Sequence, residues 1–103
     1  MEFLTIGEKQ YPVVIDFYVL KIVSKKYSLK LSEIQGVLDD LDRLESLVFE
    51  SLKRGAQKTD VVFDVKESDI GDILSNKNAL GDFIKIFTES ILDTFTPSKK
   101  NEA

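Results

Sequence analysis

The sequence predicts an α+β fold, mainly α: a small N-terminal β-hairpin packed on about five helices. Two observations carry this. The first fifteen residues hold two short apolar runs around a glycine-led turn, and from Asp16 onward apolar residues recur every three or four positions between capping residues. At 103 residues the chain is large enough to bury roughly two-thirds of its unfolded surface around one core. A single domain is expected over residues 1–95, with a β-hairpin in 1–15, a helical part in 16–95, and a flexible polar tail over 96–103.

Phe3 to Ile6 and Gln10 to Ile15 form the hairpin, with Gly7-Glu8 at the turn. Pro12 has no amide hydrogen, so its strand must be an edge or carry a bulge. Asp16 is placed to cap a helix running to about Tyr27, although its Val, Ile, Tyr and Phe also suit a strand. Ser28 to Leu31 connects to a short helix through Val37 and Leu38, capped by Ser32 with Gln35 three residues on.

Asp40–Gly55 is the strongest helix. Leu41, Leu44, Val48 and Leu52 share one face, acids crowd its first turns, Lys53-Arg54 close it, and Gly55 reads as a left-handed stop. Leu47 and Phe49 lie about 100° to either side of Val48. That arc exceeds a single stripe, so the helix is either sandwiched within its own domain or shares a face with a partner. Ala56–Thr59 reads as a polar loop and Val61-Val62-Phe63 as a brief β-prone run. An acid at Asp64 with Glu67 three on opens a helix over Lys66–Leu74, broken by Ser75–Asn78. The last helix, Ala79 to about Phe95, carries Leu80, Phe83, Ile84, Phe87, Ile91 and Phe95 on one face, with Ile86 and Leu92 outside it. Gly71 and Gly81 lie inside helical patterns at a cost of about 1 kcal/mol each relative to alanine. Either helices approach closely there or the last helix pair is easy to move.

The chain has no cysteine and no histidine. Thiolate chemistry, disulfides, the usual zinc ligands and the usual general base are thereby removed. A calcium loop begun at Asp40 would put Glu45 where glycine is required and Ser51 where a glutamate is. Asp64, Asp69, Asp72 and Asp82 leave only a magnesium-type site, with no phosphate loop beside it. No nucleophile is paired with a base. The expectation is a non-enzymatic protein with no cofactor and no metal. Net charge of −4 argues against nucleic acid. No apolar run approaches the ~20 residues of a membrane span, and the N-terminus lacks a signal-peptide plan, so a cytoplasmic protein is expected.

Charge is segregated along the chain. Residues 17–30 hold Lys21, Lys25, Lys26 and Lys30 and no acid, whereas 33–50 hold six acids against Arg43. The two regions could pair within one chain or between copies, or simply face solvent. A homo-oligomer, a dimer or larger weak assembly through the last helix and Phe87, is expected.

The order of elements resembles the tail assembly chaperones of long-tailed bacteriophages and prophages. The likeness rests on the hairpin Phe3–Ile15, Asp-Phe-Tyr-Val-Leu-Lys-Ile-Val at 16–23, and Tyr-Ser-Leu-Lys-Leu-Ser-Glu-Ile at 27–34. It continues in the leucine-rich helix at 41–53, the acidic turn and helix from Phe63 to Leu74, and the final amphipathic helix. It covers the chain to about Phe95 as a pattern of element order and residue character. The resemblance implies a cytoplasmic, non-enzymatic protein that coats a long, helical, aggregation-prone tape measure protein until tail tube protein polymerises around it. Such a protein is absent from the finished virion. Leu47, Phe49, Ile86 and Leu92, flank positions that one subunit's core leaves uncovered, are the partner-binding residues this expects, together with Phe87 on the self-associating face of the last helix. Lys99-Lys100-Asn101 is what an A-rich slippery heptamer would encode, and a ribosomal frameshift there would add a second domain. Other functions remain open: a helical anti-activator or antitoxin that neutralises one partner, or a structural subunit kept in a particle.

Overall fold

Two antiparallel strands lead into a helical body. In a computed structural model that describes residues 2–6 and 8–95 (backbone only for Leu31, Gln35, Lys77 and 92–95), β1 spans Glu2–Ile6 and β2 spans Lys9–Val13. The pairing runs from Ile6–Lys9 to Glu2–Val13. A two-residue loop makes Ile6–Lys9 a hydrogen-bonded pair, and alternation then puts Phe3–Pro12 in a non-bonded pair. The missing Pro12 amide therefore faces away from β1, where the ladder does not need it. The turn at Gly7, the tail over 96–103 and Lys99 to Asn101 lie outside the described residues.

Helix α1 spans Phe17–Tyr27. The Asp16 carboxylate accepts from the Val19 amide at 3.2 Å, and Ser28 ends the helix in the left-handed region (φ 54°) with the Leu29 amide closing on the Ser24 carbonyl at 2.8 Å. A 3₁₀ helix follows over Leu31–Asp39, and at three residues per turn Ile34 and Val37 stack on its buried side. Its reciprocal cap sits two residues earlier than Ser32 and Gln35: the Lys30 amide donates to Glu33 Oε1 at 2.8 Å.

Helix α2 spans Leu41–Thr59, with Asp40 capping the Arg43 amide at 3.1 Å. Here the structure corrects the sequence. Gly55 does not stop the helix, and Ala56–Thr59 is its last turn, not a loop. The stop is Asp60, at φ 57°, with the Val61 amide bonded to the Ala56 carbonyl at 3.0 Å. Gly55 is where β2 crosses α2, and a Cβ there would overlap the Pro12 carbonyl. The residues read as β-prone, 61–63, run as irregular chain; Phe63 packs on Phe49 with ring centroids 5.5 Å apart, while Val61 and Val62 are exposed. A 3₁₀ turn, Glu67–Asp69, leads into α3, Ile70–Leu74, where Asp69 rather than Glu67 accepts the opening amide, from Lys66 at 3.1 Å. Asn76 then caps α4, Lys77–Phe95, accepting from Asn78 and Ala79 at 2.9 and 3.3 Å.

The core draws on every layer: Leu4 and Val13 from the hairpin, Val19 and Val23 from α1, Leu44 to Leu52 from α2, Ile70 from α3, and Phe83, Phe87 and Ile91 from α4. Helix α2 runs through its middle, touching β2, α1, the 3₁₀ helix and α3. Of the two alternatives for its wide apolar arc, it is sandwiched. At Gly81 nothing lies within 4 Å of a built Cβ, and Gly71 has only a Glu45 side-chain oxygen at 3.5 Å. Close packing does not explain these two glycines.

Candidate partner-binding surface

The five positions singled out by sequence fall in different places. Leu47, Ile86 and Phe87 are buried at 0%, 6% and 2% exposure, so a partner cannot touch them without opening the core. The expectation that one subunit leaves Leu47 and Ile86 uncovered is corrected: β2 and α1 pack against α2, and β1 and α3 pack against α4. Phe49 is half-buried, with Phe63 against its ring. The side chain of Leu92 lies outside the described residues.

The apolar excess lies elsewhere. Among the described residues, Phe17, Tyr18 and Ile22 on α1 are 66%, 57% and 46% exposed, and Leu41 at the start of α2 is 79% exposed. Helical geometry dictates the α1 set. Val19, Leu20 and Val23 take its inner face, which leaves Phe17, Tyr18 and Ile22 on the outer one, interleaved with Lys21 and Lys25. Leu41 shares the sequence stripe of Leu44, Val48 and Leu52 but precedes the first turn that the core covers. Sequence periodicity missed both. Lysines interrupting an otherwise apolar run in α1 were the available signal.

Beside this face a groove of about 360 Å³ opens between α1 and the 3₁₀ helix. Phe17, Leu20, Leu29 and Ile34 line it with Lys21 and Lys25. A second hollow, about 270 Å³, lies between β2, the end of α2 and residues 61–64.

Polar contacts at both ends hold α1 in place. Arg54 on α2 donates to Asp16 at 2.9 Å and lies over the Tyr18 ring at 4.7 Å from its centroid. Burial alone would raise the Asp16 carboxyl, but the Arg54 and Val19 hydrogen bonds and the charges of Arg54 and Lys58 outweigh it and hold the group below its usual range. At the other end Lys26 donates to buried Ser46 at 3.0 Å and to Glu67 at 3.2 Å, while the Tyr27 hydroxyl lies 2.7 Å from Ser46 Oγ. Burial pulls Lys26 down, yet Glu67 more than compensates and its ammonium is raised. Lys26 is thus committed inside the chain. Among the described residues Lys21, Lys25 and Lys30 join no ion pair, and neither do Asp39 and Asp42. The charge segregation of the sequence is not consumed within the fold.

Among the described residues no three acidic side chains are grouped to hold a metal ion, and no helix is long and apolar enough to cross a membrane. Comparison with protein-family models, curated proteins and solved structures finds no match to this chain.

Proposed function

We propose that this protein is a non-enzymatic binding protein of the tail assembly chaperone type. In this reading it acts in the bacterial cytoplasm, covers the apolar helical stripe of a tape measure protein until tail tube protein assembles around it, and stays out of the virion. The observation that supports it is the outward apolar face of α1, where Phe17, Tyr18 and Ile22 stand exposed beside Lys21 and Lys25, which join no ion pair among the described residues. Large exposed aromatics on a small domain are unfavourable unless another surface covers them. An amphipathic helix laid along α1 would bury these side chains, and its flanking acids would meet Lys21 and Lys25. Acid-rich elements elsewhere keep the complex in solution.

The test is to look for a long helical reading frame next to this gene and to co-express its product with this chain. The reading expects that protein in the soluble fraction with the wild-type chain and in the pellet with Phe17→Ser/Ile22→Ser, whose own melting should change little because both side chains are exposed and Tyr18 keeps its contact with Arg54. Equal solubility with the wild type, the variant or neither, or a locus without a long helical reading frame, would sink it. A slippery heptamer at codons 99–101 with an overlapping frame would add the longer product that the resemblance implies.

A further inference from the structure

We propose that the groove between α1 and the 3₁₀ helix receives Leu41 from a second copy of this chain, in a contact steered by Asp39 and Asp42 of one copy and Lys21 and Lys25 of the other. Both halves are visible on a single subunit. The groove offers an apolar lining of Phe17, Leu20, Leu29 and Ile34 with two exposed lysines. The knob is Leu41, 79% exposed and flanked by the exposed Asp39 and Asp42. Charge and shape requirements match, a leucine with acidic neighbours against an apolar hollow with basic ones.

The subunit does not satisfy this pairing itself. Leu41 is exposed to solvent, and the 3₁₀ helix, at roughly 2 Å per residue, carries the chain away from Ile34 before reaching it. The neighbouring charges are also uncommitted: among the described residues Lys21 and Lys25 form no ion pair, nor do Asp39 and Asp42. Asp40, between them, is occupied in capping α2 and lies 3.8 Å from Arg43. Because knob and groove are different surfaces, the contact pairs one patch with another rather than a patch with itself. It is also small. An interface built on one leucine falls below the ~1,600 Å² of a permanent complex, so assembly is concentration-dependent and weakens with salt. This inference goes beyond the client reading; the contact shares Phe17, Lys21 and Lys25 with the proposed client surface, so copy and client would compete for it, and sedimentation of the isolated chain reads the self-contact with no client present.

Sedimentation velocity over a dilution series tests it on the full chain. Wild type should associate as concentration rises, less so at high salt. Lys21→Glu/Lys25→Glu and Asp39→Lys/Asp42→Lys should each weaken self-association at least about tenfold, as should Leu41→Ser. Asp40 is left intact so that α2 keeps its cap. Mixing the two charge-reversed proteins should restore association, since each then presents the charge the other has lost. Wild type that stays monomeric throughout overturns the proposal and leaves the groove to a different acidic partner. Reversed variants that associate like wild type, or a mixture that remains monomeric, overturn it as well. Should a reversed variant fail to fold, Leu41→Ser decides alone: unchanged association defeats the proposal.

Discussion

At the scale of single residues, glycine shows how one residue type serves opposite ends. Gly55 is required, because β2 runs across α2 so closely that a Cβ would overlap the Pro12 carbonyl. Gly81 has open space around it. Gly55→Ala should therefore destabilise the chain by about 1–3 kcal/mol through enforced separation of strand and helix. Gly81→Ala should stabilise it by up to about 1 kcal/mol. Urea midpoints read both, and equal effects would contradict the geometry. Asp16 makes a pH prediction. Its folded carboxyl lies below the unfolded value of about 3.9, so its stabilisation is present above that pH and is lost as pH falls through the lower folded value. Asp16→Asn keeps an oxygen for the Val19 amide but loses the charge facing Arg54. It should flatten the acid limb of stability below about pH 5 while costing about 1 kcal/mol or less at neutral pH. An acid limb as steep as wild type would show that other carboxylates dominate.

At the scale of elements, what the sequence could reveal depended on whether the cause was local. The cap at Asp16 and the hairpin are set by neighbours along the chain, and each is where the pattern puts it. The end of α2 is not local: Gly55 looks like a stop, and only the strand crossing above it explains a glycine inside a helix. The same limit hid the surface. Periodicity reports the width of an apolar arc but not which neighbour covers it, so Leu47 and Ile86 looked available and are buried, whereas Phe17, Tyr18 and Leu41 are exposed. Helix α4 makes this testable. Phe87→Asp removes a ring worth about 3–5 kcal/mol and puts a charge in its place, which a domain of total stability about 5–15 kcal/mol barely survives. Ile84→Asp, at a position 36% exposed, should cost about 1 kcal/mol. Thermal melts distinguish them. A folded Phe87→Asp protein would mean that α4 is held less tightly than its burial indicates.

At the scale of the whole molecule, the hairpin decides whether the chain behaves as one unit. Two strands alone are marginal in water, yet β1 packs against α4 and β2 against α2, and Leu4 and Val13 join the same core as Phe83 and Phe87. The Val14 amide is bonded to the Ser51 carbonyl at 3.2 Å, tying the strand exit to the middle of α2. Removing this layer would expose faces of both long helices at once, so hairpin and helices should unfold together. The chain contains no tryptophan, and Tyr11 on β2 is half-buried against the core. With Tyr18 and Tyr27 replaced by Phe, tyrosine fluorescence follows the hairpin while far-ultraviolet circular dichroism follows the helices. The two urea transitions should coincide, and a chain lacking residues 2–13 should show no cooperative transition. A fluorescence transition that precedes the loss of helix would mean that the helical body holds without its strands, and the hairpin would then be an attachment to the core and not a wall of it.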